Sequence, residues 1–372
     1  MLAALTAAVA LALLELGSFG FFRLAGHRLP IASGRRFALA PGSLDEVAAG
    51  RIFDAELGWT APYDTPFGER PGVHRGKPLL LAFGDSFVHG DEVGASQTWE
   101  EALAEAAGRD VLNFGVPAYG ADQALLRFRR VAPRVEAPLA LLGFPPANIG
   151  RVVSRYRRFY FRQSGVPLSK PRFVLREGRL DLLPNPVSSL AELGRLADPA
   201  FVERLGQDDL WFSRLPRPSF PYSAWIVRPS LWRAAAGIRE RDDAERKEAD
   251  ALWDDSETRE LFLAILAAFV SEARDLGRQP VIALLPSRHS IETVRNGRDT
   301  PGRREVLEHC AREGFACFDG VSTLVEAGAA RRPASYFRRG GHTSAMANAL
   351  LGARLHEFLK SKGLDAASRG AK

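Results

Sequence analysis

The sequence predicts an α/β protein: a parallel sheet covered by helices on both faces, with an apolar N-terminal helix ahead of it and a cap region inserted into it. Three observations predict this. From residue 77 onward, short apolar runs alternate with stretches of helical periodicity, the pattern of a parallel sheet with crossover helices. The chain opens on an almost wholly apolar run, Leu2–Phe22, interrupted by Glu15. Residues 150–250 break the alternation with many prolines and aromatics.

The apolar run is closed by Arg23. About 20 residues suffice to cross a bilayer, although a carboxylate at Glu15 is expensive there. A signal anchor, a cleaved signal peptide and a buried helix all fit; no small-residue cleavage site precedes Leu24. Arg23, Arg28, Arg35 and Arg36 follow the run and no basic residue precedes it. That distribution does not favour export of the C-terminal part, so orientation stays open. Residues 1–30 are therefore read as anchor or signal, 31–76 as a Gly/Pro-rich linker and extension, and 77–365 as the main domain.

Within that domain Pro78–Phe83 reads as the first buried strand, and Thr98–Ala107 as a helix ending near Gly108. Val111–Phe114 is a second strand, Ala121–Val131 a helix and Pro138–Phe144 a third strand. After the insertion, Glu257–Leu276 is a long amphipathic helix with N-caps among Asp254–Ser256 and Gly277 beyond its end. Pro280–Leu285 is the fourth strand, Phe315–Phe318 the fifth, and Ser344–Leu359 a closing helix.

Of the 372 residues, 46% are apolar and 25% charged, ordinary for a globular chain. The net charge of +6 raises nucleic acid as a partner. The basic residues are mixed with acids, as in Arg239-Glu240-Arg241-Asp242-Asp243, which sets that aside. The denser clusters, Arg151 to Arg158 and Arg338-Arg339, read as solvated faces, with an anionic glycan or membrane surface as the functional alternative. Cys310 and Cys317 sit where a helix gives way to a strand, and a single bridge between them requires an oxidising compartment.

Four strand-end loops carry the chemistry. Phe83-Gly84-Asp85-Ser86-Phe87 puts a serine just past a buried strand at the start of a helix. A serine hydroxyl needs a base to become a nucleophile, and a helix N-terminus offers N–H groups to an oxyanion. Alone, the same serine also fits an N-cap. Asn113-Phe114-Gly115-Val116 places a glycine where backbone can approach a ligand, or where the chain merely turns. Gly143 to Ile149 carries Asn148, an amide donor or a turn cap. Gly340-Gly341-His342-Thr343-Ser344 puts a histidine before the closing helix, suited to act as base near neutral pH.

Ser, Gly, Asn and His in that order after successive strands resemble the SGNH/GDSL hydrolase family. The longer stretches Gly84 to Asp91 and Asn113 to Val116 strengthen the likeness, and Asp54-Ala55-Glu56-Leu57-Gly58-Trp59 is similar to a segment of its membrane-anchored bacterial members. The resemblance implies a three-layer α/β/α, flavodoxin-like fold and a serine esterase or acyltransferase. It implies Ser86 as nucleophile, His342 as base, and an oxyanion hole from the Ser86 and Gly115 N–H groups and the Asn148 side chain, with no metal or organic cofactor. The family's aspartate three residues before the histidine is here Arg339. Asp319, after the fifth strand, is the first candidate for the missing acid; a Ser–His dyad and a non-catalytic binding protein are the alternatives.

The expected substrate is an acylated compound, with an O-acylated envelope glycan as the favoured class. Tyr156, Tyr160, Trp211 and Trp225 are candidates to stack on sugar rings, but packing the insertion is the favoured reading. His89 and His289 lie near the same sheet edge and read as structural or pocket-lining. The expected location is membrane-anchored, facing the periplasm or the exterior.

Overall fold

A computed structural model describes residues 1–25, 36–40, 52–161, 164–215, 218–227 and 250–365. Arg28, Arg35 and the Arg239–Asp243 cluster lie outside the described residues. In chain order, helix α1 (Leu2–Ala25) precedes strand β1 (Pro78–Gly84), the one-turn helix α2 (Ser86–His89) and helix α3 (Trp99–Ala107). Strand β2 (Asp110–Asn113), helix α4 (Ala121–Val131) and strand β3 (Leu139–Phe144) follow. An antiparallel hairpin, β4 (Arg172–Arg176) and β5 (Arg179–Leu183), comes next, then the short helix α5 (Tyr222–Val227). The chain continues with α6 (Ser256–Asp275), β6 (Gln279–Leu284), α7 (Arg288–Arg295) and α8 (Pro301–Glu313). It closes with β7 (Ala316–Asp319), α9 (Gly320–Glu326) and α10 (Ala345–Ser361).

The strands β2-β1-β3-β6-β7 form one five-stranded sheet, parallel throughout. Its strands are buried on both faces because they are continuous apolar runs: every residue of β3 is buried. On one face Leu80, Ala82, Leu141 and Ala283 pack with Trp99 and Leu103 of α3, Ile291 of α7, Leu324 of α9 and Leu351 and Leu355 of α10. On the other, Phe83 meets Phe128 of α4, which meets Phe269 of α6. The result is three layers, α/β/α.

The N-cap expected for α6 is present, and the residues read as the first of α3 and α10 are N-caps too. Thr98 caps α3 through the Glu101 N–H, Asp255 caps α6 through Thr258, and Ser344 caps α10 through Ala347. The hairpin β4–β5 falls within the stretch that the sequence reads as an insertion without strands, and Glu177 and Gly178, both at positive φ, make its turn.

The chain divides into two compact units: residues 1–58, 154–170 and 185–245, and residues 59–153, 171–184 and 246–372. The sheet, its helices and the hairpin belong to the second unit. In the first, Tyr156, Tyr160 and Trp211 are buried. Phe159 contacts Phe37 and Phe212 edge-on or tilted, and Tyr160 lies 5.8 Å from Trp211. Tyr156, Tyr160 and Trp211 therefore pack a core, as the favoured reading had it, and the alternative of stacking on sugars is corrected for these three because their rings are buried.

The arginines of 151–158 are engaged. Arg155 bonds Asp208, Arg157 bonds Ser164 and Tyr160, and Arg158 donates to the Phe37 carbonyl. They hold loops together, and the solvated-face reading fails there.

Candidate active site

The site sits at the C-terminal edge of β1, β2 and β3, where loops of an open parallel sheet converge. Ser86 is the first residue of α2 and is buried. Its N–H, at the first turn, has no carbonyl of its own helix to bond. Asp85 precedes it as N-cap and accepts from Phe87 N–H at 2.9 Å. The second oxygen of Asp85 accepts from the Asn148 side chain and from Arg151 Nη1 at 3.2 Å. Arg151 also donates to the Tyr119 carbonyl at 2.9 Å. Burial raises the Asp85 carboxyl above its ordinary value, with Arg151, the Phe87 N–H and Asn148 opposing.

Gly115 follows β2, and any Cβ there would fall 2.2 Å from the His89 nitrogen. Only glycine lets this strand end lie against α2. Asn113 ties the two together, donating to the Val88 carbonyl at 2.7 Å and accepting the Gly115 N–H at 2.9 Å. Trp59 braces the same loop: its indole donates to Pro117 O at 2.9 Å, and Tyr119 Oη donates to Trp59 O at 2.5 Å.

His342 comes from the loop before α10. Its Nε2 lies 2.9 Å from Ser86 Oγ. Its Nδ1 lies 2.8 Å from Glu92 Oε2. The same carboxylate accepts the His342 backbone N–H at 3.3 Å and the Gly340 N–H at 2.8 Å. A Cβ at position 340 would sit 2.7 Å from Glu92 Oε2, so the carboxylate's seat requires glycine. Burial raises the Glu92 carboxyl, but the Gly340 and His342 donors outweigh it, and the group sits below its ordinary value.

Glu92 has φ +66°, a left-handed conformation uncommon outside glycine. Arg70 holds this loop by donating to the carbonyls of His89, of Gly90 at 2.8 Å and of Val93 at 2.8 Å. Beside it His89 lies between Asp91 at Nδ1 and Tyr63 at Nε2, at 2.5 and 2.7 Å. A cavity of about 470 Å³ opens here, lined by Arg70, His89, Asp91, Glu92, Gly340 and His342 among others.

Thus Ser86 and His342 are brought together, and Gly115 and Asn148 lie on loops around α2. Asp319 is not brought to His342. It accepts from Arg303 at 2.6 Å and caps α9 through the Val321 and Ser322 N–H groups. Burial raises its carboxyl, and Arg303 and Ser322 more than reverse that. The candidacy of Asp319 as the orienting acid is corrected on this ground: its oxygens are already held by a guanidinium and a helix N-terminus. Arg339 is exposed. His289 pairs with Asp250 at 3.0 Å. Sequence reasoning missed Glu92; the signal was its nearness to Ser86 along the chain, within the same tight turn of loop.

No protein-family model matches the chain, and no curated protein matches it. Solved structures are similar to it at low identity. One is a member of the lipolytic protein G-D-S-L family from Veillonella parvula, 11% identical, with 75% of this chain and 97% of that one aligned at a TM-score of 0.38. Another is a catalytic mutant of an acetylxylan esterase from Geobacillus stearothermophilus, 12% identical, covering 78% and 96%, with a TM-score of 0.41.

Proposed function

We propose that this protein is a serine ester hydrolase in which Ser86, His342 and Glu92 form the catalytic triad. The observation that carries the reading is the chain of contacts through one imidazole: 2.9 Å from Nε2 to Ser86 Oγ and 2.8 Å from Nδ1 to Glu92 Oε2. Glu92 fixes the proton on Nδ1, which leaves Nε2 free to accept. His342 takes the Ser86 proton as Oγ attacks the ester carbonyl. The anionic intermediate is held by the Ser86 N–H and an Asn148 side-chain N–H, whereas the Gly115 N–H, expected to join them, is taken by Asn113 Oδ1 at 2.9 Å. His342 then protonates the leaving alkoxide. Water, deprotonated by the same nitrogen, releases the acid and restores Ser86.

The cavity lies on the Glu92 side of His342, where Arg70, Asp91 and Glu92 line it, and Ser86 is not among its lining residues. An O-acylated glycan is the substrate class proposed, on the strength of the charged and hydrogen-bonding groups around His342. α1 is read as a membrane anchor: it has mean hydropathy 2.0 and is 6% buried. Cys310 and Cys317 form a disulfide with Cα atoms 6.2 Å apart. A bridge of this kind supports an extracytoplasmic catalytic unit, against the arginines that follow α1.

The test is Ser86→Ala assayed on p-nitrophenyl acetate. Turnover falls to background while the melting temperature is retained. Undiminished cleavage by the variant would sink the assignment.

A further inference from the structure

We infer that the segment around α5 enters the hydrocarbon layer of the membrane beside α1, with Glu15 as its docking point. The inference rests on α1 being the anchor and goes beyond it. As a helix of 24 residues α1 is about 36 Å long. Glu15 lies nine residues before Leu24, about 14 Å from that end and well within the apolar layer. A carboxylate there has to find donors, because lipid offers none.

The structure supplies them from one place. Tyr222 N–H donates to Glu15 at 2.6 Å, Ser223 N–H at 3.1 Å, and the Ser223 hydroxyl donates as well. The contact continues along one face of α1. Ser18 is buried, and Phe19 and Phe22 lie 5.2 and 6.5 Å from the Tyr222 ring. Glu15, Ser18, Phe19 and Phe22 are spaced i, i+3, i+4 and i+7, a single helical stripe.

The segment itself suits lipid. Residues 218–227 read Pro-Ser-Phe-Pro-Tyr-Ser-Ala-Trp-Ile-Val, without a charge, between Arg217 and Arg228. It is too short to span, so it enters and leaves on one side. Four residues at the turn into α5 present no unpaired N–H to an apolar setting. Pro218 and Pro221 have no N–H to satisfy, and the N–H groups of Tyr222 and Ser223 go to Glu15. Away from α1, Phe220, Ile226 and Val227 are 75%, 48% and 71% exposed. The large side chains on the rest of α1, among them Leu11, Leu13 and Leu16, are exposed too. One continuous apolar surface thus runs from α1 onto α5, and hydrocarbon is its occupant.

The experiment uses the full-length chain in phosphatidylcholine vesicles, labelled with an environment-sensitive fluorophore at Ile226→Cys or, as reference, at Val9→Cys. The native cysteines are bonded to each other and do not compete. The 226 probe is expected to be quenched by nitroxide-labelled lipid and shielded from aqueous iodide, as the 9 probe is. Glu15→Ala should raise iodide quenching at 226 several-fold and leave 9 unchanged. Glu15→Gln, which keeps one accepting oxygen, should retain most of the shielding. A 226 probe open to iodide while the 9 probe is shielded overturns the inference and spares the anchor. Both probes in water, or α1 missing from the mature mass, overturn both.

Discussion

The loops on either side of Ser86 are held by different means. Ahead of it, Asp85 is buried and has three donors in contact: Phe87 on α2, and Asn148 and Arg151 on the segment that follows β3. Behind it, Glu92 is partly exposed, stands at φ +66° and is kept in place by Arg70 reaching over from the chain before β1. The nucleophile's turn is a product of the sheet. The acid's loop is a strained backbone under a clamp. On the proposed reading, the part that must stay dry is held apart from the part that must meet the histidine, and the two should fail differently.

The largest difference is expected at the imidazole that joins them. His342→Ala should lower kcat by about 10²- to 10⁴-fold, the usual contribution of a general base, and leave the melting temperature close to wild type. A loss of less than tenfold would mean that the Ser86 turn works without its arm.

Glu92→Gln comes next. Loss of a triad acid costs about 10⁴-fold where it is buried. Glu92 is 30% exposed at its side chain, so water partly replaces it, and a fall in kcat on the order of 10²-fold is expected. Asp319→Asn serves as the control: kcat should hold while stability drops, because Arg303 loses its partner. The reverse pattern would return the acid's role to Asp319.

Arg70→Lys is smaller and more informative. An ammonium lacks the planar fork that reaches three carbonyls at once. A fall of about tenfold in kcat is expected if the clamp matters only through Glu92. The double variant with Glu92→Gln should then be little worse than Glu92→Gln alone, since coupled residues are not additive. Additive losses would give Arg70 a separate role, as a wall of the cavity.

The difference between the loops also explains what the sequence disclosed. Gly84 to Asp91 and Asn113 to Val116 are short-range patterns: a strand end, a cap and a close approach by Gly115. Local chemistry specifies each of them, and the strand order brings them to one edge. Glu92 reaches His342 across 250 residues of chain. Its role depends on a left-handed backbone and a remote arginine, and neither writes a periodicity into the sequence. In that stretch a glutamate reads as solvated. Arg339 stands three residues before the histidine, where an acid is expected, and Asp319 is the strand-end carboxylate that offers itself instead; its partner, Arg303, lies within α8, which carries no motif. The buried aromatics of the first unit were equally silent, because a ring that packs and a ring that stacks on sugar look alike in composition.

The finest test sets the two carboxyls against each other by pH. Asp85 has its folded pKa raised by burial. The folded protein therefore holds that proton more tightly than the unfolded chain, and stability drains away as pH rises from the ordinary carboxylate range through the folded value. Glu92 has its pKa lowered by the Gly340 and His342 donors, which outweigh burial. Its contribution is present above the ordinary carboxylate range and is lost as pH falls through the folded value. Urea midpoints measured from pH 3 to pH 7 should therefore separate the variants. Relative to wild type, Asp85→Asn improves as pH rises, and Glu92→Gln worsens. Difference curves with the same slope would mean that the two loops share one electrostatic environment, and the contrast between a dry turn and a clamped loop would fall with it.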